Sequence, residues 1–233
     1  MILAALAALV GATVQSATGF GFALVLSPAL FAVMEPAEAV TVLLALGAAL
    51  NVLVLLERHD ARWSRLPPLI LPALPGLALG VVVLAALSRE PLQIGVGVAV
   101  IAAGLWQLRD RDAAARVPAT VAGFLSGLLT TSISISGPPI VLWLEAQALR
   151  PAEFRATLAA AFLALNVAGW AVLGIAGDAT ADLGELLLLL GLVLAGHALG
   201  TFAFRRLDHE RFYKLVLVLV LVTGVASVVA GLA

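Results

Sequence analysis

The chain contains no cysteine and few charged residues, which make up 12% of its 233 positions against roughly 25% in an ordinary soluble domain. Without cysteine there can be no disulfide, no thiolate metal site and no cysteine nucleophile. The formal net charge of -1 leaves no basic face for a nucleic acid. A water-soluble globule needs a charged surface that this chain cannot supply. Soluble enzymes, nucleic-acid-binding proteins and secreted domains are therefore excluded.

Hydrophobic residues, at 63% of the chain, fill long runs that contain no charged residue. The eight runs are 1–34, 39–56, 66–88, 91–108, 117–144, 156–177, 186–204 and 215–233. A helix crosses the ~30 Å hydrocarbon core of a bilayer with about 20 apolar residues. The sequence therefore predicts an all-α polytopic membrane protein in the lipid bilayer.

The positions of the basic residues favour a topology in which two of the runs fold back. If every run crossed once, the basic loops would be divided almost evenly between the two sides. If the overlong segments 1–34 and 117–149 each form a hairpin, Arg89 alone among the 13 Lys and Arg residues lies opposite the rest. Basic loops face the cytoplasm. This predicts a cytoplasmic (inner) membrane protein with both termini extracytoplasmic.

Both overlong segments carry residues that interrupt a helix. The first is broken by 15–21, which contains Gly19 and Gly21, and the second by 130–139, which ends in Gly137-Pro138-Pro139. Glycine and proline weaken or stop helices. Non-helical backbone at membrane depth is tolerated only where it is buried in protein or lines a wet cavity. The pattern predicts broken hairpins, and leaves open whether each is re-entrant or crosses twice.

The chain also repeats itself at a nearly constant spacing. The first members of the matched pairs are Gly11, Gly21, Pro36-Ala37-Glu38, Leu50-Asn51-Val52, Ala78-Leu79-Gly80 and Gly104. Their partners are Gly127, Gly137, Pro151-Ala152-Glu153, Leu165-Asn166-Val167, Ala198-Leu199-Gly200 and Gly224. A broken hairpin followed by three crossings inverts the second copy. Inverted-topology repeats with broken helices are typical of secondary transporters.

The predicted organisation is two inverted-topology repeats, each a broken helical hairpin plus three transmembrane helices. The first repeat, 1–112, contains a hairpin at 1–34 and helices at 37–57, 67–88 and 91–109. The second repeat, 113–233, contains a hairpin at 117–149 and helices at 153–176, 184–204 and 211–232.

The glycine pattern of the two breaks resembles that of the sulfite exporter TauE/SafE family. It comprises Gly11, Gly19-x-Gly21 and an apolar half-helix to Pro28, with the echo Gly123, Gly127 and Ser136-Gly137-Pro138-Pro139. The likeness covers essentially the whole chain, although Phe20 and Phe22 stand where further glycines are usual and the second copy is rich in serine. The resemblance implies transport of small sulfur-containing or organic anions, such as sulfite or sulfonates, across the cytoplasmic membrane.

The breaks themselves suggest how an anion could be held. A half-helix that starts near the midplane points unpaired N–H groups and its positive dipole end at a cavity. Because no Arg or Lys lies deep in any run, these ends and nearby polar side chains are the predicted anion-binding device, with no cofactor and no metal. The candidate substrate-binding residues are Gln15, Ser16, Thr18, Gly19, Gly21, Asn51, Thr131, Ser132, Ser134, Ser136, Gly137 and Asn166.

Each polar candidate has a structural alternative. The hydroxyls can simply bond their own or a neighbouring helix, and Asn51 and Asn166 can form interhelical hydrogen bonds. His197 and Glu145 are candidates for proton coupling. A packing histidine and an acid that extends to the membrane interface are the alternatives.

The function predicted is a secondary transporter that moves a small anion, a sulfur oxyanion or an organosulfonate, by alternating access. An anion channel, a lipid scramblase and a carrier for an unrelated small organic acid remain as alternatives, and the oligomeric state is open. An intramembrane serine protease would need a pair such as Ser126 and His197. No second catalytic motif accompanies that pair, so the chain is predicted not to be an enzyme.

Overall fold

The computed structural model describes residues 2–57, 60–86, 117–179 and 181–204, with isolated positions between 94 and 101 and between 218 and 229. The continuous elements in chain order are α1 (Ile2–Thr18), α2 (Phe22–Phe31), α3 (Pro36–Glu57), a 3₁₀ turn (Trp63–Arg65), α4 (Pro67–Ala86), α5 (Ala119–Ile133), α6 (Gly137–Glu145), α7 (Pro151–Ala176) and α8 (Leu183–Phe204). No strand occurs among the described residues, and the all-α class is confirmed.

In the described part of the chain, four helices are long and apolar enough to cross a membrane, namely α3, α4, α7 and α8. Large apolar side chains such as Leu71, Leu187 and Phe202 cover outward faces of these helices, which suits contact with lipid rather than water. The chain is a multi-pass membrane protein. The predicted helices 91–109 and 211–232 lie almost wholly outside the described residues.

The first hairpin is broken where the glycine pattern predicted. Helix α1 ends at Thr18, and Gly19 and Gly21 follow with φ angles of 97° and 110°. An L side chain rarely adopts such angles, so both positions favour glycine. The next helix, α2, starts at Phe22 and ends at Phe31, short of the predicted Met34. At 1.5 Å per residue α1 is about 26 Å long and α2 about 15 Å.

The second hairpin is broken in a similar way by different residues. Helix α5 ends at Ile133, and Ser134 follows in the left-handed region with φ 59°. Its N–H bonds the Thr130 carbonyl at 3.1 Å, which ends α5 with an αL cap. Helix α6 begins at Gly137 and ends at Glu145, earlier than the predicted Leu149.

Three extensive helix pairs join residues before 112 to residues after 113: α4 packs along α5, α1 along α8, and α3 against α7. Glycines allow the first two approaches. A Cβ atom on Gly76 would meet the Phe124 carbonyl, and one on Gly196 would lie 2.8 Å from the Ala12 Cβ. Glycine on α4 and α8 thus permits close helix packing in both pairs.

Two basic loops meet at one end of the bundle. Arg62, in the loop after α3, forms an ion pair with Glu153 at the start of α7. The backbone N–H of Arg62 also donates to the Thr157 hydroxyl at 2.9 Å. Arg150 lies 3.0 Å from the same carboxylate, and this hydrogen bond raises the pKa of the Arg150 guanidinium. An arrangement of eight simple crossings would have put these two loops on opposite sides of the membrane.

Candidate functional site

A small cavity of about 30 Å³ lies where the two hairpin breaks meet α3 and α7. This is room for about two water molecules, at roughly 10–15 Å³ for each. Its lining residues are Gln15, Phe20, Gly21, Phe22, Ala23, Leu24, Leu43, Gly47, Asn51, Ser134, Ile135, Ser136, Gly137, Phe162 and Asn166. The structure thus brings together seven of the predicted site residues, namely Gln15, Gly21, Asn51, Ser134, Ser136, Gly137 and Asn166.

A chain of amides ties the start of α2 to α3. The N–H of Phe22, the first residue of α2, donates to Gln15 Oε1 at 3.2 Å. The Gln15 amide nitrogen in turn donates to Asn51 Oδ1 at 3.0 Å. Because a backbone N–H can only donate, it fixes the orientation of the Gln15 amide, and that amide fixes the orientation of Asn51. The Asn51 side chain is buried beside the cavity, and its Nδ2 has no hydrogen-bond partner among the described residues.

The N-terminus of α2 supplies further donors. Val25 N–H bonds the Gly21 carbonyl at 3.1 Å, but the N–H groups of Ala23 and Leu24 find no acceptor among the described residues. The first turn of any helix leaves such groups unpaired unless a cap satisfies them. Here they lie in residues that line the cavity, with the positive end of the α2 dipole.

The N-terminus of α6 faces the same cavity with fewer N–H groups. Pro138 and Pro139 occupy the first turn and have no N–H, so the donors at this tip are the N–H groups of Ser136 and Gly137. No acceptor for either occurs in the described part of the chain. The hydroxyls of Ser134 and Ser136 also make no side-chain hydrogen bond there, which leaves them available to a solute.

Asn166 forms the opposite wall and is closely packed against α3. Its Nδ2 would lie 2.6 Å from a Cβ added to Gly47, so a side chain at 47 would displace this amide. None of the lining residues carries a charge, and Phe20, Phe22 and Phe162 give the cavity an apolar part. The cavity therefore combines many neutral donors with aromatic surface, and no lining side chain supplies a cation.

Two other predicted residues of the first break are structural in this arrangement. Thr18 Oγ1 contacts the carbonyls of Val14 and Phe20 at 2.8 and 2.9 Å, across the break. Gly19 packs against α7, where a Cβ would lie 3.2 Å from a Leu158 methyl group. Neither residue lines the cavity.

Two predicted residues of the second break also lie away from the cavity lining. Thr131 donates its hydroxyl to the Leu77 carbonyl of α4 at 2.7 Å. Ser132 donates to the Leu128 carbonyl of its own helix at 2.7 Å. Both hydroxyls thus bond carbonyls of their own or a neighbouring helix, which is the structural alternative to binding a solute.

The remaining predicted residues separate into different places. His197 Nδ1 lies 2.9 Å from the Ser16 hydroxyl and its Nε2 lies 3.2 Å from Glu57, so Ser16 belongs to this pair of contacts rather than to the cavity lining. Glu145 ends α6 and is not among the hydrogen-bond partners of His197. Ser126 is not a partner of His197 either, so the protease pair is not formed.

Sequence reasoning missed Arg155, which it counted only among the Lys and Arg residues on the side opposite Arg89. The side chain is 0% exposed in the first turns of α7, and its guanidinium donates to the Ser16 carbonyl in the last turn of α1. A cation at a helix C-terminus satisfies carbonyls that lack an intrahelical partner. The sequence did contain a signal for this burial. Arg155 follows closely on Pro151, which is the first residue of a long apolar helix, so it belongs to that helix rather than to the loop.

The fold and the cavity define a multi-pass helical membrane protein with an internal site rich in hydrogen-bond donors. The profile of the family described as Sulfite exporter TauE/SafE matches residues 3–227, nearly the whole chain. The chain belongs to this family, whose members are membrane transporters of sulfur anions, and the resemblance inferred from the glycine pattern is confirmed. Comparison with curated proteins and with solved structures gives no match.

Proposed function

We propose that the protein is a secondary transporter that moves a sulfur oxyanion or a small organosulfonate across the cytoplasmic membrane by alternating access. The observation that carries this proposal is the cavity at the two hairpin breaks, whose lining residues include no carboxylate and include Asn51, the Nδ2 of which has no hydrogen-bond partner among the described residues. Donors of this kind suit the oxygens of a sulfite or sulfonate group.

The lining favours a ligand with a small apolar part as well as an anionic head. The unpaired N–H groups of Ala23, Leu24, Ser136 and Gly137 would meet the oxygens, and the aromatic rings would meet carbon. Because no lining side chain is a cation, the affinity rests on hydrogen bonds and helix dipoles. Such an affinity is moderate, which allows a carrier to release its cargo.

Two inverted repeats, 1–112 and 113–233, would supply the alternating motion. The pairing of helices supports this organisation, because α1 packs on α8 while α4 packs on α5, and α3 packs on α7. Each member of a pair thus has its counterpart in the other half. A small rotation of one repeat against the other would open the cavity to one side of the membrane at a time.

The proposed orientation puts the loops at Arg62 and Arg150 in the cytoplasm and both termini outside. The contact of both residues with Glu153 supports a common side for these loops. The positive-inside rule then gives that side as the cytoplasmic one.

Among the residues predicted from sequence, we assign direct roles to those that line the cavity: Gln15, Gly21, Asn51, Ser134, Ser136, Gly137 and Asn166. Ser16, Thr18, Gly19, Thr131 and Ser132 would instead hold the breaks open by their backbone and interhelical contacts.

The test is transport by the purified protein in liposomes, with sulfite, thiosulfate, taurine, sulfoacetate and acetate as solutes. We expect saturable flux of at least one sulfur oxyanion or sulfonate. Flux of acetate alone would indicate a carrier for an unrelated organic acid, and ohmic single-channel currents would indicate an anion channel. Either result would overturn the proposal.

The matched variant is Asn51→Asp, which keeps the acceptor for Gln15 and replaces the free N–H donor with a carboxylate oxygen. A lost hydrogen bond to a charged ligand costs about 1.5–3 kcal/mol, so we expect KM to rise at least tenfold. Gln147→Glu is the control, because this amide contacts only the Trp143 carbonyl at 3.4 Å and lies outside the cavity. Equal transport by both variants would remove Asn51 from the site.

A further inference from the structure

A polar chain outside the cavity connects the end of α3 to the break after α1. Glu57, the last residue of α3, has its Oε1 3.2 Å from His197 Nε2. The other imidazole nitrogen, Nδ1, lies 2.9 Å from the hydroxyl of Ser16. Ser16 is the neighbour in sequence of Gln15, whose amide lines the cavity. Three side chains thus lead from a helix end to the hairpin that holds the proposed ligand.

The exposure of these groups falls from one end of the chain to the other. The Glu57 side chain is 37% exposed, the His197 side chain is 10% exposed, and Ser16 is 0% exposed. Glu57 lies at the end of the bundle that carries the basic loop with Arg62. A proton from water can therefore reach the carboxylate first and the imidazole second.

Few titratable or charged groups surround His197 among the described residues of the helices packed against it. Helix α1 contributes no titratable group. Helix α3 contributes Glu57 at this end, and α8 itself contributes the Thr201 hydroxyl, which donates to Glu57 Oε2 at 3.2 Å. Arg155 of α7 acts from the far side of Ser16 through the Ser16 carbonyl. Glu57 and Arg155 are thus the charged groups that these helices place next to His197 and Ser16.

We propose that Glu57, His197 and Ser16 form the proton-binding site that couples this transporter to a pH gradient, an inference that rests on the proposed transport function. When Nδ1–H donates to Ser16 Oγ, the Nε2 lone pair faces Glu57. A proton that arrives on the Glu57 carboxyl passes to Nε2, so that one O–H bond breaks and one N–H bond forms. The product is a carboxylate beside an imidazolium, and release follows the reverse path.

The new positive charge on His197 lies against Ser16. Ser16 is the neighbour in sequence of Gln15, whose side chain lines the cavity. An added positive charge near the cavity favours an anion there, and the anion in turn favours the proton, since coupling between two bound species is reciprocal. Histidine suits this role because it is the side chain whose charge ordinarily changes between pH 5 and 8.

The experiment separates coupling from transport in liposomes that contain the whole protein. One arm measures exchange of labelled sulfite or taurine at equal pH on both sides. The other arm measures accumulation of the same solute driven by a pH gradient. For His197→Gln we expect exchange within about twofold of the unmodified protein, together with loss of gradient-driven accumulation by at least tenfold.

Glu57→Gln is the second variant, since it keeps the shape of the side chain but cannot relay a proton as a carboxylate. Loss of accumulation with retained exchange in Glu57→Gln supports the proposal even if His197→Gln fails to fold. Thr41→Val is the control, because its hydroxyl bonds only the Ala37 carbonyl of α3 at 2.8 Å, and it should lose neither activity.

Two results in the Glu57→Gln variant would overturn the coupling site. One is gradient-driven accumulation that persists in Glu57→Gln, and the other is loss of exchange and accumulation together in that variant. An unmodified protein that exchanges the anion but ignores a pH gradient also overturns the inference, while the proposed function stands. An unmodified protein that carries none of the anions overturns the proposed function itself.

Discussion

The free N–H group of Asn51 follows from a single backbone donor. Phe22 N–H orients Gln15, and Gln15 orients Asn51, so the group left over at the end of this line is a donor on a residue that lines the cavity. From sequence, Asn51 and Asn166 could be expected inside the bundle because an amide in lipid is costly. Which atom of each amide stays unpaired depends on contacts between helices and could not be predicted.

Gly47 offers a test of the cavity wall at the scale of one atom. A Cβ at this position would lie 2.6 Å from Asn166 Nδ2, which is shorter than real Cβ contacts, so Gly47→Ala should displace the Asn166 amide. We expect the apparent KM for the transported anion to rise several-fold, measured as flux against concentration in liposomes.

Gly174→Ala serves as the control for this substitution. Its nearest neighbour beyond the helix is the Ala179 Cβ at 4.0 Å, an ordinary contact distance. An unchanged KM in Gly47→Ala would mean that Asn166 does not contribute to the site.

At the scale of elements, the two breaks reach a similar result with different residues. Gly19 and Gly21 adopt positive φ in the first break, and Ser134 adopts it in the second. The sequence predicted both breaks because glycine and proline act locally on a helix. It did not predict that α6 would end at Glu145, since the left-handed turn at Ala148 has no local signal of this kind.

The close pairing of α1 with α8 depends on glycine on α8. A Cβ on Gly196 would lie 2.8 Å from the Ala12 Cβ, so Gly196→Ala should force the two helices apart. Overpacking costs typically 1–3 kcal/mol, and we expect a lower thermal midpoint in detergent, measured by unfolding followed by circular dichroism.

Gly191→Ala, on the same helix, isolates the effect of packing from that of helix propensity. No atom lies within 4 Å of a Cβ at this position, and alanine is favoured over glycine in a helix by about 1 kcal/mol. Its midpoint should stay level or rise. If the thermal midpoints of Gly196→Ala and Gly191→Ala fell equally, the close approach of α1 and α8 would not limit stability.

At the scale of the whole molecule, the proposed topology can be tested by labelling, since the chain has no cysteine of its own. Single-cysteine variants Val33→Cys and Ala181→Cys should react with an impermeant maleimide from outside intact cells. Asp60→Cys should react only after the membrane is opened. These expectations follow because 33 and 181 each precede a predicted inward crossing, whereas 60 lies in a basic loop.

Labelling of Val33→Cys and Asp60→Cys from the same side would contradict a single crossing by α3. Labelling of Val33→Cys and Ala181→Cys from opposite sides would contradict the inverted repeat. Both outcomes leave the membership of the family untouched, because the family assignment rests on the match to residues 3–227.

The sequence by itself determined the class of protein, the helical breaks and the family. Run length, charge distribution and the glycine and proline positions act locally or through the bilayer, and no tertiary contact is needed to read them. Only the tertiary structure decided that Arg155 is buried, and that His197, 181 residues from Ser16, completes a path to Glu57. Such contacts depend on how distant helices pack, and in a chain so rich in interchangeable apolar residues no local pattern specifies that packing.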